Sequence, residues 1–263
     1  MARVTDPERI DPPGRKTRWP TLDRTLEGAL APWRADPGPI TVLFSGGVDS
    51  GILAWELRDR CGTTLSTVGL AGSSDLASAE RAARAIGLPW TGTELSTEDL
   101  VAALERGAPD FGDMPVRRRC IFLALEAAIE HAPVGELLCG QGADELFLGY
   151  AHFRGLDPSE ATARSLSDLA QLREIDWPLT VRIARRLGRR AHAPFLDPGF
   201  VGAALGLPIA DRLPGDRPKA LWRAWAIERG VPAEIADRPK RAMQFGTGID
   251  RWLRRLSRTA TPP

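Results

Sequence analysis

Residues 40–57, Ile40-Thr41-Val42-Leu43-Phe44-Ser45-Gly46-Gly47-Val48-Asp49-Ser50-Gly51-Ile52-Leu53-Ala54-Trp55-Glu56-Leu57, pass from an apolar run of strand length through a glycine turn into a helical pattern. The same alternation follows, with Leu65–Leu70 and Trp90–Leu95 reading as strands and 75–86 and 97–106 as helices. A further helix over 116–131 leads into a short strand at 136–139. Strands and helices alternating at this spacing predict an α/β fold, an open parallel sheet covered by helices on both faces. Upstream, Leu22, Leu26, Leu30 and Trp33 recur at three- and four-residue steps. They mark a helix capped by Thr21 and stopped by Pro37-Gly38-Pro39. Pro7, Pro12, Pro13 and Pro20 make residues 1–20 a proline-rich arm. Beyond Tyr150 the pattern is mostly helical, around 159–172, 177–190, 219–229 and 248–257.

At 263 residues the chain is long enough to bury a large core, and its 35 basic and 34 acidic residues leave a formal charge of +1. Such a balance argues against general affinity for nucleic acid or an anionic membrane. The three cysteines, Cys61, Cys120 and Cys139, form no CxxC pair and no metal spacing with histidine, which excludes a zinc ribbon and a disulfide scaffold. With no apolar run of membrane-spanning length, a cytoplasmic location is expected. Lys16, Lys219 and Lys240 are the lysines of a chain whose other cations are arginine. A lysine here therefore merits scrutiny.

The turn Ser45-Gly46-Gly47-Val48-Asp49-Ser50 falls at the carboxyl end of the first expected strand, where open α/β sheets bind ligands. Two glycines allow close backbone approach, Ser45 and Ser50 add hydroxyls, and the helix N-terminus brings unpaired N–H groups and positive charge. This composition suits a phosphate chain. The Asp49 carboxylate is compatible with phosphate when a cation intervenes, which points to magnesium.

The SGGVDS turn resembles the pyrophosphate loop of the ATP pyrophosphatases. Within that superfamily, Leu138-Cys139-Gly140-Gln141-Gly142-Ala143-Asp144-Glu145-Leu146-Phe147-Leu148-Gly149-Tyr150 is similar to the GEGADELFGGY segment of asparagine synthetases. Ala193-Pro194-Phe195-Leu196-Asp197 resembles their VPFLD, and Arg238-Pro239-Lys240 with Gly246 and Gly248 resembles their late lysine segment. Val68-Gly69-Leu70 with Ser74-Asp75 resembles their second-strand segment, so the likeness covers residues 21–250 in order. It implies ATP and Mg2+ as cofactors, with Asp49 and Asp144 holding the metal. ATP-binding positions would be Phe44, Ser45, Gly46, Gly47, Asp49, Ser50, Val68, Cys139 and Gly140. Lys240 would stabilise charge as an acyl-adenylate forms or collapses, and Arg118 would contact the nucleotide or pyrophosphate. Lys219, ahead of Leu221-Trp222, reads as structural. The implied organisation is a domain over 21–255, with a nucleotide-binding core at 21–150 and a helical substrate part at 151–255, followed by a tail at 256–263.

Two features depart from the family pattern. Gln141 stands where asparagine synthetases commonly carry Glu, and a glutamine accepts hydrogen bonds but cannot serve as a carboxylate base. Leu148 replaces a glycine. Position 2 is Ala rather than the glutaminase cysteine, and the 39 residues before Ile40 leave no room for an amidohydrolase domain. The expectation is thus a stand-alone synthetase domain. It would adenylate a carboxylate, by default aspartate, and pass the acyl group to ammonia or an amine, with a separate glutaminase subunit as one possible donor. The alternatives are a tRNA-thiolating ATP pyrophosphatase, which neutral charge and unpaired cysteines disfavour, and a non-catalytic ATP-binding module.

Overall fold

A computed structural model describes residues 18–36, 38–133, 135–213, 215, 217–239 and 243–259. Five strands form one parallel sheet: β1 (Ile40–Leu43), β2 (Thr63–Leu70), β3 (Trp90–Leu95), β4 (Glu136–Leu138) and β5 (Ala191–His192). Their spatial order is β3-β2-β1-β4-β5. Ile40 pairs with Thr63 on one side and Glu136 on the other, which makes β1 a central strand. The chain builds outward from β1 to β3 and then returns to lay β4 against the free side of β1. The adjacent ends of β1 and β4 therefore form a topological switch point, the crevice where such sheets take ligands.

Helices α1 (Pro20–Ala35), α2 (Val48–Glu56), α3 (Ser74–Ile86), α4 (Thr97–Phe111) and α5 (Val116–Glu130) accompany the first four strands. The short α6 (Ala143–Leu146) follows β4, and α7 (Pro158–Gln171) continues through a π-helical turn at Leu172–Asp176 into α8 (Trp177–Arg186). The remainder is α9 (Pro198–Leu205), α10 (Ile209–Arg212), α11 (Ala220–Glu228), α12 (Ala233–Ala236), α13 (Met243–Gly246) and α14 (Ile249–Thr259). Alternation along the strands divides the core. Ile40, Val42 and Leu138 pack with α1, α2, α3, α9 and α11, whereas Leu137, Val68 and Leu95 pack with α4, α5, α8 and α14. Two apolar layers thus clamp the sheet, as the alternation of strand and helix requires.

The first helix starts two residues earlier than expected from a Thr21 cap. Pro20, assigned to the arm, is the first residue of α1, where its missing N–H costs nothing, and Trp19 rather than Thr21 precedes the helix as its cap. The rest of the arm, residues 1–17, lies outside the described residues. Leu22, Leu26 and Leu30 are fully buried, and Asp23 accepts the indole N–H of Trp225 at 2.7 Å, pinning α1 to α11. The helix expected over 177–190 ends at Arg186, and the two-residue β5 that follows is too short to show a period.

The helix that follows the glycine turn is held closely. A Cβ on Gly51 would lie 2.3 Å from Cγ2 of Ile235, a fully buried α12 residue. Gly51→Ala is expected to lower stability by about 1–3 kcal/mol through overpacking, read as a lower urea midpoint at unchanged slope. An unaltered midpoint would contradict this packing of α2 on α12.

Candidate active site

The glycine turn is built as its sequence suggests. Gly46 takes φ +69, and a Cβ there would sit 3.0 Å from the backbone of Ser78 and Ala79 in α3, so both conformation and space require glycine. Gly47 is the N-cap of α2 and donates to Ser45 Oγ at 3.3 Å. Ser50 closes the turn, its Oγ accepting from Ser45 N at 3.2 Å and donating to Gly47 O at 3.4 Å. The loop after β4 approaches from the other side. A Cβ on Gly140 would lie 2.9 Å from Cβ of Asp49 and 3.2 Å from Ser50 N, so the two loops touch through glycine.

This approach brings two carboxylates from different strand ends to one cation. Lys219 Nζ lies 2.7 and 2.6 Å from the two Asp49 oxygens and 2.7 Å from Asp144 Oδ1. The indole N–H of Trp222 donates to Asp49 Oδ1 at 3.1 Å. Lys219 is 1% exposed. Burial alone would lower its pKa, but the carboxylates of Asp144 and Asp49 outweigh that and raise it, keeping the ammonium charged. Lys219 and Leu148 are the non-glycine residues with positive φ among the described residues, at +60° and +53°. Lys219 is the centre of the ion triad, and Leu148 precedes Gly149, whose backbone lies against it. The family glycine that Leu148 replaces thus falls at a left-handed position, where leucine is strained.

The triad forms part of the wall of a cavity of about 360 Å³, which also takes in Phe44, Ser45, Gly47, Ser50, Val68, Cys139, Gly140, Gln141 and Arg118. Nearly every residue singled out from the sequence thus meets in one place. Gly46 shapes the turn against α3, and Lys240 lies outside the described residues. Val68 and Phe44 are 3% and 2% exposed, so any contact with a ligand falls largely to their main chain. Phe44 N donates to Ser66 O at 2.7 Å, tying the tips of β1 and β2.

Several residues of the wall have contacts that the sequence did not assign them. Lys219 is the foremost: read as structural, it occupies the centre of the site. Arg238 donates to the Ser45 carbonyl and, at 2.8 Å, to the buried Asp75, fastening the late segment to the glycine turn. Glu145 is buried and accepts the Tyr150 hydroxyl at 2.5 Å; burial, then the neighbouring Asp144, pushes its carboxyl up to about 7. Arg118 is ion-paired with Asp176, which the π-helical turn carries into the cavity wall. Gln141 Oε1 is buried with no hydrogen-bond partner among the described residues. The arginine abundance of the sequence masked Arg238. Lysine scarcity was the signal that could have found Lys219.

A parallel sheet presenting a glycine-rich strand-to-helix turn and an acidic second loop at its switch point defines an ATP pyrophosphatase-type domain. The chain belongs to the asparagine synthase family, whose sequence profile matches residues 21–190 and 157–261. Asparagine synthetase [glutamine-hydrolyzing] 1 of Arabidopsis thaliana is 25% identical over 255 residues, covering 88% of this chain and 43% of that protein. Asparagine synthetase [glutamine-hydrolyzing] of Gallus gallus is 28% identical over 221 residues, covering 79% and 39%. The chain spans about half the length, or less, of the curated relatives it matches. Among solved structures, the NH3-dependent NAD synthetase from Campylobacter jejuni aligns with a TM-score of 0.38 and 13% identity, covering 71% of this chain and 96% of that one. The U34-tRNA thiolase NcsA from Methanococcus maripaludis aligns at 0.35 with 12% identity, covering 91% and 80%. No helix among the described residues is long and apolar enough to cross a membrane.

Cys139 enters the cavity wall as an inert thiol. Burial pushes it up to about 12, and Cys120 is likewise raised to about 11, mainly by burial. Cys61 is exposed. A thiol reagent at pH 8 is therefore expected to modify one cysteine rapidly in the native chain and all three after denaturation. Rapid labelling of Cys139, located by peptide mapping, would contradict the packing of the loop after β4.

Proposed function

We propose that this chain is an ATP-dependent, AMP-forming carbon–nitrogen ligase. It activates a carboxylate, by default aspartate, as an acyl-adenylate with release of pyrophosphate, and then lets ammonia or an amine displace AMP to form an amide. The nitrogen comes free, from a separate glutaminase subunit, or as an amine on a second substrate. The observation that carries this reading is the convergence of Asp49 and Asp144, from adjacent strand ends, on a single cation position beside the Ser45–Ser50 turn.

Those carboxylates suit magnesium, a hard cation that takes oxygen donors and shares them with substrate phosphates. A Cβ on Gly149 would lie 1.9 Å from Asp144 Oδ1, so the backbone leaves a close-fitting cradle beside that carboxylate. Asp49 and Asp144 would hold the ion, which would supply charge neutralisation at the phosphates. The glycine turn and the α2 N-terminus would bind the phosphate chain through backbone N–H groups, while Phe44 and Val68 would offer main-chain edges to adenine. Lys219 and Lys240 would supply positive charge where phosphate oxygens gain negative charge. A positioned donor of this kind contributes on the order of 3 kcal/mol. Gln141, with an unpartnered carboxamide oxygen on the cavity wall, is suited to accept a hydrogen bond from the incoming nitrogen.

Carboxylate-dependent ATP–pyrophosphate exchange tests this reading, with aspartate first and other acids after it. Exchange is expected with the wild type, and a loss on the order of 10²-fold or more with Asp144→Asn. Exchange only with another acid would keep the mechanism and discard aspartate. No exchange with any acid, in protein shown to bind ATP, would contradict the ligase, and salt-sensitive tRNA binding in that case would favour the thiolation-type reading.

A further inference from the structure

The cation position between Asp49 and Asp144 is filled by a residue of the chain itself. Resting on the nucleotide-and-metal reading of this site, we infer that Lys219 is its resident counter-cation, and that a divalent ion enters together with a nucleotide polyphosphate and not ahead of one. The ammonium contacts both carboxylates at 2.6–2.7 Å and is sealed from solvent. The main-chain approach of Gly149 crowds it from one side, since a Cβ there would lie 2.3 Å from Lys219 Cε. The left-handed backbone at Lys219 holds the side chain in this direction at a conformational cost, as expected of a position fixed by its surroundings.

Charge then determines the order of binding. Two carboxylates and one ammonium leave a single net negative charge. A bare divalent ion placed among them would lie beside a like charge in a buried setting, where such repulsion is weakly screened. Among the described residues no three Asp, Glu, His or Cys side chains gather as a ready metal cage, so a bare ion would depend on the same two carboxylates that already hold the ammonium. A triphosphate supplies what is missing. Its oxygens can take over the ammonium of Lys219 and complete the metal's coordination, which frees Asp49 and Asp144 for the ion. Departure of the metal with pyrophosphate would let Lys219 return. The chain thus has a cation site selective for metal–nucleotide complexes over free metal.

The test is binding of Mn2+ to the whole chain, followed by the electron paramagnetic resonance of free and bound ion, with and without a non-hydrolysable ATP analogue. Wild-type protein is expected to bind Mn2+ alone at least about a hundredfold more weakly than Lys219→Met does, because the variant removes the competing charge. Wild-type protein with the analogue should form a bound ternary complex. The double variant Lys219→Met/Asp144→Asn should lose the gain, and Mn2+ should raise the Tm of Lys219→Met but not that of the wild type. Where Lys219→Met does not fold, the wild-type arms decide: binding of Mn2+ alone as tight as in the ternary complex overturns the inference, and weak binding alone with a tight ternary complex supports it. Absence of a ternary complex overturns the nucleotide reading and the inference with it. Tight Mn2+ binding to wild type without nucleotide overturns the inference only.

Discussion

The ammonium of Lys219, held between Asp49 and Asp144, joins three segments that are remote in sequence: the start of α2 after β1, the start of α6 after β4, and the residue that caps α11. Each partner depends on the other two. Removing one member of such a buried set leaves uncompensated charge, which typically costs about 3–5 kcal/mol, although replacing the whole set with apolar groups can be neutral. The triad is therefore poorly explained as a stabilising device and well explained as a site. Behind it, Trp222 stacks between Phe147 and Trp225 at centroid distances of 4.2 and 4.8 Å, which fixes the face of α11 that presents Lys219 and the Asp49-bound indole.

Everything that surrounds the triad follows from the sheet order. Where β4 returns beside β1, two loops from strand ends face one another, and at Gly140 the backbone comes too close to Asp49 and Ser50 for a side chain, as Gly46 does to α3 on the other side of the turn. Arg238 then ties the turn to α3 from above through Ser45 and Asp75. The helical second half of the chain contributes part of the remaining wall, including Leu172, Asp176, Arg223 and Thr247.

The parallel sheet and the glycine turn were legible because both depend on local patterns: apolar strands of fixed length, glycine where φ must be positive, and helix periodicity between them. The pairing of Asp49 with Asp144 came from the family resemblance, and the placement of each after a strand end agreed with it. Lysine scarcity drew attention to Lys219 but not to its role, which depends on a contact with Asp49, 170 residues away, that nothing in its neighbours Pro218 and Ala220 records. The Arg118–Asp176 pair was hidden for the same reason, and also because the π-helical turn shifts the helix face by a residue that periodicity does not anticipate. Leu148 shows the reverse. The position at which the family glycine is replaced by leucine is left-handed here, so the departure in sequence pointed to a real backbone feature.

In the proposed function, Asp49 and Asp144 share one cation that faces the phosphates of a nucleotide bound at the Ser45–Ser50 turn. A crystal structure of the chain with Mn2+ and a non-hydrolysable ATP analogue, with anomalous scattering recorded at the manganese edge, addresses it directly. An anomalous peak is expected within coordination distance of both carboxylates and of phosphate oxygens, with Lys219 moved onto the phosphates. A peak away from Asp49 and Asp144, or a nucleotide bound elsewhere than the switch point, would contradict it.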